Sequence, residues 1–351
     1  MAARSRFAAS SNLLLSNISH VDGEGYGFFA FSLKSFYTLE YILTSIILGL
    51  GSFGVLPNVA NIIVFAKMGF AETINIMFCV LSVADLVYLS VNIISTIAIN
   101  LNFESVQTVF IDIYDLTLIM NPWTWASFGL GSCATALIAV ERSVCIALPL
   151  KVKRIFTRKR VSAAIIFFFG LTLANLVQSY ATMNLQWVTI PGTNQTGLVM
   201  NYSAYFQQMI VIAMFAFSVV PSLTSFIVTS VGTVFLVVKL NQSAQWRKSS
   251  TVDVKKIRVS NKEVKVIRSA VLVCIVFIVC FTPNVCLVVA SIIQPRLHIA
   301  DIYFGPFMYI LFYIAYIFQS ISSSFNIFIY LKTSSRYRET FMLMFCRAQK
   351  K

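Results

Sequence analysis

The chain has 351 residues, of which 58% are hydrophobic and 11% are charged, and its formal net charge at pH 7 is +14. This composition is typical of a membrane protein and argues against a soluble domain. A basic chain can also bind nucleic acid, but here the basic residues lie beside apolar segments with no soluble domain to carry them, so nucleic acid is excluded as a partner.

Seven apolar segments are each long enough to cross a bilayer. A helix of about 20 mostly apolar residues crosses a hydrocarbon layer about 30 Å thick, and a soluble core does not repeat such runs seven times. We therefore predict an all-α membrane protein with a bundle of seven transmembrane helices, named spans one to seven. Their predicted limits are 41–65, 74–99, 116–140, 161–183, 206–238, 264–293 and 302–331.

The Lys and Arg residues predict the orientation. If the N-terminus lies outside, 23 of the 27 fall on the inner side of the membrane. Because cytoplasmic loops retain positive charge, we predict a multi-pass plasma-membrane protein with an extracellular N-terminal segment 1–40, a seven-helix domain 41–331 and a cytoplasmic segment 332–351. The glycosylation acceptors Asn17, Asn194 and Asn201 would then lie outside.

Short motifs in the spans resemble those of rhodopsin-like (class A) G-protein-coupled receptors. Each motif alone is weak, but together they follow the order of that family. The motifs are Pro57-Asn58 in span one, Leu81-Ser82-Val83-Ala84-Asp85 in span two, Glu141-Arg142-Ser143 and then Pro149-Leu150 after span three, Pro221 in span five, Cys280-Phe281-Thr282-Pro283 in span six, and Asn326-Ile327-Phe328-Ile329-Tyr330 in span seven.

Further strings resemble invertebrate FMRFamide-receptor-like proteins, and especially molluscan chemosensory receptors. This resemblance covers about residues 45–346 and implies signalling to a heterotrimeric G protein. We expect an extracellular ligand that is a small molecule or a short peptide, of chemosensory or neuropeptide type. The strings include Asn121-Pro122-Trp123, Lys262-Glu263-Val264-Lys265 and Ser324-Phe325-Asn326.

A carboxylate in the middle of a membrane costs free energy and persists mainly beside polar groups or an ion. The resemblance implies that Asp85 forms a network with Asn58, Ser322, Ser323 and Asn326. In the family such a cluster binds a sodium ion that favours the inactive state. Gly131 stands where a serine ligand is usual, so a sodium ion at Asp85 and an ion-free network are both open. We expect no other metal or cofactor.

The resemblance also implies where activation and coupling take place. Arg142 would pair with Glu263 in the inactive state, and Leu150 would contact the G protein. Glu141 and Tyr330 belong to the same activation machinery. Arrestin would bind after phosphorylation of the loop between spans five and six.

The ligand site is predicted as an apolar cavity with a few hydrogen-bonding groups and no central charge. Span seven has no lysine for an opsin chromophore, and Thr124 stands where aminergic receptors carry a carboxylate. The expected lining residues are Trp123, Thr124, Trp125, Phe128, Gln207, Phe281, Asn284, Tyr313, Tyr316 and Gln319.

The segment after span seven alternates basic and apolar residues, a pattern that places an amphipathic helix in the membrane interface. This resembles helix eight of the family, and it makes membrane lipid a partner. Cys346 near its end is a predicted palmitoylation site.

The alternative to a receptor is a polytopic transporter or channel. Transporters tend to show two related halves and several ionisable groups at mid-depth, whereas this chain shows no repeat and Asp85 stands nearly alone. We do not expect an enzyme, because no loop carries a nucleophile and base and the loops are too short for a catalytic domain.

Overall fold

The computed structural model describes residues 33–103, 113–148, 150–181, 183–189, 196–202, 216, 219–249, 261–294, 296–297 and 304–346. Within these ranges seven helices are long and apolar enough to cross a membrane, which confirms the predicted bundle. Spans one to seven are the helices Leu33–Met68, Thr73–Phe103, Ile113–Ala147, Arg158–Ala181, Val220–Ser249, Asn261–Ile293 and Gly305–Thr333.

Several helices extend beyond the predicted apolar limits. Span one begins at Leu33 instead of 41, so Glu40 lies inside the helix. Span three continues past 140 to Ala147, which makes Glu141 and Arg142 helical. The apolar run marks the hydrocarbon layer, whereas backbone hydrogen bonding and packing decide where a helix ends.

Span three is the central helix of the bundle, because it packs against spans two, four, five and six. Span one packs against spans two and seven. Gly54 lets spans one and seven approach closely: a Cβ atom there would lie 2.2 Å from Ser324 Oγ and 2.6 Å from Leu89 Cδ1. Small residues at such contacts are how membrane helices bring their backbones together.

One end of the bundle is called the basic end, because Arg142 and the short helix Val152–Ile155 lie there. A further helix, Ser335–Phe341, follows span seven at this end, and its N-cap Ser334 accepts a hydrogen bond from the Tyr337 backbone N–H. This C-terminal helix confirms the predicted helix after span seven. It continues as a π-helical turn, Met342–Cys346.

The opposite end is called the hairpin end. There the strands β1, Met183–Thr189, and β2, Thr196–Tyr202, pair in antiparallel fashion, with Met183 opposite Tyr202. The sequence prediction extended span four to 183, but the helix ends at Ala181 and the chain turns into the strand. The hairpin was not predicted.

Candidate functional site

A polar chamber surrounds Asp85 in the middle of the bundle. The Asp85 side chain is buried; its Oδ1 accepts a hydrogen bond from Ser323 Oγ at 2.7 Å, and its Oδ2 accepts one from Asn326 Nδ2 at 2.9 Å. Both donors lie on the same face of span seven because they are three residues apart. Spans two and seven are therefore joined through one carboxylate.

Asn58 belongs to this network but does not bond Asp85 directly. Its Nδ2 donates to the backbone oxygen of Gly54 at 3.0 Å and to that of Ser323 at 2.8 Å. Asn58 thus joins span one to Ser323 of span seven, the residue that donates a hydrogen bond to Asp85. Ser322 lines the chamber beside the carboxylate.

The chamber offers oxygen atoms that a small cation could use. Its free space is about 10 Å³, enough for about one water molecule. Gln319 lines the chamber, and its buried Oε1 has no hydrogen-bond partner among the residues that the structure describes. A carboxylate has about four acceptor positions, so Asp85 can bind a cation beyond its two hydrogen bonds. The residues therefore fit a sodium ion held by Asp85, Gln319 and Ser322, which would neutralise the buried charge; Gly131 adds no side-chain ligand.

At the basic end, Glu141 forms an ion pair with Arg142 and a hydrogen bond with Thr73 of span two. Glu141 Oε2 lies 3.0 Å from Arg142 Nη2, and Glu141 Oε1 accepts a hydrogen bond from the Thr73 hydroxyl. Both charged side chains are largely buried, at 3% and 11% exposure. Glu263 lies on the span-six helix, but its side chain is outside the described part of the chain, so its pairing with Arg142 stays a prediction.

Tyr330 and Leu150 have opposite environments at this end. Tyr330 is fully buried, and its hydroxyl has no hydrogen-bond partner among the described residues. Its ring packs against Phe78 at a centroid distance of 4.8 Å. Leu150 is 96% exposed, just before the short helix Val152–Ile155.

A second cavity, called the ligand cavity, lies between Asp85 and the hairpin end. Its free space is also about 10 Å³, so a ligand larger than water must displace side chains. Phe281 packs against Phe128 at a centroid distance of 4.6 Å. The lining residues are Tyr88, Thr124, Trp125, Phe128, Asn284, Ala315, Tyr316 and Gln319.

The family profile described as 7 transmembrane receptor (rhodopsin family) matches residues 58–330. The chain belongs to this receptor family. Squid rhodopsin has a similar structure, with a TM-score of 0.60 and 15% sequence identity over 90% of this chain and 87% of that chain. At this identity the likeness shows the fold alone. A search of curated proteins finds no match.

Membership of the family has direct consequences for the class of protein. The chain is a multi-pass membrane receptor of the kind that signals through G proteins, and not an enzyme. The transporter or channel alternative is not favoured. The family match does not specify the type of ligand.

The structure brings six of the predicted cavity residues together: Thr124, Trp125, Phe128, Asn284, Tyr316 and Gln319. Tyr88 and Ala315 were missed. Tyr88 follows Asp85 by three residues, so the helical repeat could have placed it on the same face of span two. Its hydroxyl donates to the Tyr316 backbone oxygen at 3.4 Å.

Two of the predicted ligand-binding residues do not line the ligand cavity in this structure. Trp123 is 42% exposed, and its side chain lies beside the Tyr180 hydroxyl of span four. Tyr313 points instead toward span one, where its hydroxyl donates to Glu40 Oε1 at 3.0 Å. Successive helical residues point about 100° apart, so Trp123 and Trp125 face different neighbours.

Several other predicted sites fall outside what the structure describes. Gln207, Asn17 and Asn194 lie in segments without description. Asn201 lies on β2 opposite Asn184, but its side chain is not described. The same holds for the side chain of Cys346.

Proposed function

We propose that this receptor transmits an extracellular chemical signal, from a small molecule or a short peptide, to a heterotrimeric G protein. The observation that carries the proposal is the shared wall between the ligand cavity and the Asp85 chamber. Tyr88, Phe128 and Gln319 line both spaces. A ligand that moves these side chains therefore changes the surroundings of Asp85 as well.

The orientation of the receptor follows from charge. The loops and termini of the basic end carry most of the 27 Lys and Arg residues, which cytoplasmic segments retain. We therefore place the basic end in the cytoplasm and the hairpin end outside, in the plasma membrane. The ligand cavity then lies in the outer half of the bundle.

The signal would travel along span seven. Asp85 bonds Ser323 and Asn326, and Tyr330 lies one helical turn beyond Asn326. The Tyr330 hydroxyl has no partner among the described residues, so another arrangement of span seven can give it one. A ligand shifts the populations of two such states only by the difference in its affinity for them.

Release of Arg142 provides a test that needs no ligand. Glu141→Gln removes the ion pair that holds Arg142, and a shift of about 1–3 kcal/mol toward the active state would raise its population about 5- to 150-fold. We expect Glu141→Gln to raise ligand-free nucleotide exchange on at least one G-protein subtype in a reconstituted panel. Glu339→Gln, at an exposed carboxylate of the C-terminal helix, is the matched control. Exchange equal to wild type on every subtype would contradict the proposal.

Leu150 is the residue we assign to the G-protein contact. A leucine that is 96% exposed beside basic residues is suited to insert into an apolar pocket of a partner. Leu150→Ala should lower nucleotide exchange while ligand binding persists. Leu56→Ala, at a leucine 75% exposed in the middle of span one, controls for loss of an exposed leucine elsewhere. Normal exchange in Leu150→Ala would rule out this contact.

The ligand type and the remaining partners rest on sequence. The strings shared with FMRFamide-receptor-like and molluscan chemosensory receptors support a chemosensory or neuropeptide ligand. Phosphorylation in residues 243–251 would create the arrestin site, and palmitoylation of Cys346 would hold the C-terminal helix at lipid, where Leu343 and Phe345 are exposed. Glycosylation would modify Asn17, Asn194 and Asn201.

Sodium at Asp85 is the metal proposal. A bound cation stabilises whichever state encloses the chamber more tightly. If the chamber binds sodium, thermal stability of the purified receptor should be higher in NaCl than in N-methylglucamine chloride at equal ionic strength. Asp85→Asn should abolish the difference, and an equal midpoint in both salts for the wild type would contradict sodium binding.

A further inference from the structure

Glu40 is a carboxylate near the hairpin end of span one. The sequence prediction had placed it in the extracellular N-terminal segment 1–40. Its side chain is half-buried. Within the described part of the chain, its Oε1 accepts a hydrogen bond from the Tyr313 hydroxyl of span seven at 3.0 Å. A carboxylate has about four acceptor positions, so this neutral donor occupies only part of its capacity.

Among the side chains that the structure describes, no Lys or Arg neutralises Glu40. The ion pairs in that part of the chain join Arg142 to Glu141 and Arg336 to Glu72, both at the basic end. An unpaired carboxylate in a membrane span costs free energy and is retained mainly where it has a function. Glu40 is therefore suited to a cation that comes from outside the bundle.

Aromatic side chains connect Glu40 with the ligand cavity. Tyr309, Tyr313 and Tyr316 recur at intervals of four and three residues, so they share one face of span seven. Tyr316 lines the cavity. Trp125, which lines the cavity from span three, contacts the Phe312 ring of span seven at a centroid distance of 6.4 Å. Aromatic faces attract ammonium groups, so this path is favourable for a cationic ligand with an aromatic body.

We propose that Glu40 binds an ammonium group of the ligand while the apolar part of the ligand enters the cavity beside Trp125, Phe128 and Tyr316. This inference rests on the proposed function, and it narrows the ligand to an amine: a small arylalkylamine or a short peptide with a free N-terminus. Thr124, which replaces the span-three carboxylate of aminergic receptors, does not supply the counter-charge; Glu40 supplies it from span one.

The probes are matched pairs that differ only in the positive charge. One pair is 2-phenylethylamine and 2-phenylethanol; the other is phenylalanylglycine amide and its N-acetyl form. Binding is measured on purified wild-type receptor in nanodiscs by the ligand-induced shift of the thermal midpoint and by calorimetry. Preference for the first amine indicates a small-amine receptor, and preference for the free dipeptide indicates a peptide receptor.

Glu40→Gln keeps the shape and the hydrogen bond from Tyr313 but removes the charge. We expect it to weaken binding of the preferred amine about 10- to 100-fold, the effect of losing a hydrogen bond to a charged group. Binding of the neutral partner should change little. Tyr313→Phe keeps the carboxylate and should preserve the preference for the amine, which separates the charge from a merely structural contact. Glu339→Gln is the control for a carboxylate lost elsewhere.

Three results would overturn the proposal: equal affinity of the wild type for both members of each pair, unchanged amine affinity in Glu40→Gln, or no binding of either amine at millimolar concentration. The Glu141→Gln exchange assay uses no ligand. A rise of exchange in that variant together with a failed amine test would leave the proposed receptor function standing and reject only the role of Glu40.

Discussion

The two ends of the bundle are held together in different ways. At the basic end, buried side chains of spans one, two, three and seven and of the C-terminal helix contact one another. One example is the hydrogen bond that the Tyr337 hydroxyl donates to Asn61 Oδ1 at 2.5 Å. At the hairpin end the connections include half-buried groups, such as Glu40 with Tyr313. Buried contacts therefore fasten the basic end more firmly, so displacing side chains costs less free energy at the hairpin end.

The largest expected effect comes from breaking the chamber that lies between these ends. Asn326→Leu removes the donor to Asp85 Oδ2 and leaves a buried charge with one hydrogen bond. We expect a loss of about 3 kcal/mol of stability, since an unsatisfied buried charge costs more than a neutral group. The thermal unfolding midpoint in nanodiscs measures it. Asn284→Leu, in the ligand cavity, should cost clearly less; an equal loss would remove the distinction between the two spaces.

Close helix packing gives the next effect. Gly54→Val should cost about 1–3 kcal/mol, because its Cβ would overlap Ser324 Oγ and Leu89 Cδ1 and the helices must separate. Gly49→Val is the matched control nearer the hairpin end, since nothing lies within 4 Å of a Cβ atom there. Equal unfolding midpoints of the two variants would show that spans one and seven are not pressed together at Gly54.

The contacts of the Asp85 chamber could be predicted from the sequence, whereas those of Glu40 near the hairpin end could not. The resemblance to the receptor family grouped Asp85 with Ser323 and Asn326, and the structure joins them by hydrogen bonds. The spacing of three residues puts both donors on one face of span seven. Glu40 was missed because a glutamate at the edge of an apolar run looks like the end of a span. Its place inside the bundle is visible only from the contact with Tyr313 of span seven, 273 residues away in the sequence.

The other differences have the same origin in tertiary structure. Trp123 and Trp125 were both expected in the cavity, but they are two positions apart, so rotation around the helix sends Trp123 toward Tyr180. The β1–β2 hairpin depends on pairing between two short segments. Pro191-Gly192 between them is a turn signal, but it does not by itself show that the flanking segments pair as strands. Apolar length predicts which segments cross the membrane, but not which side each residue faces.

A third prediction compares one substitution at both ends. Burial raises the pKa of the Tyr337 phenol, so the group stays protonated and donates to Asn61 near neutral pH. Tyr337→Phe removes this bond and should cost about 2 kcal/mol. Tyr180→Phe at the hairpin end removes a bond to the Ile119 backbone oxygen from a half-buried group and should cost about 1 kcal/mol.

The double variant Tyr337→Phe with Asn61→Leu tests whether the hydrogen bond itself carries the effect. If it does, the second substitution should add less than its individual cost, since the two residues form one contact. Strict additivity of the unfolding midpoints would assign the loss to packing of the aromatic cluster, in which Tyr337 lies 5.4 Å from Tyr330 between ring centroids.

The smallest effect concerns the exposed ion pair that joins the C-terminal helix to the connection between spans one and two. Arg336 Nη1 lies 2.7 Å from Glu72 Oε1, but both side chains are more than half exposed. Such pairs contribute about 0–1 kcal/mol, because water and salt screen the charges. Glu72→Gln should therefore lower the unfolding midpoint slightly at low ionic strength and not at all in about 1 M salt. The bond from Arg336 Nη2 to the Met68 backbone oxygen remains in this variant, so the helix stays anchored. A loss as large as that of Tyr337→Phe, or one that persists in high salt, would mean that the surface pair and not the buried phenol fastens the C-terminal helix.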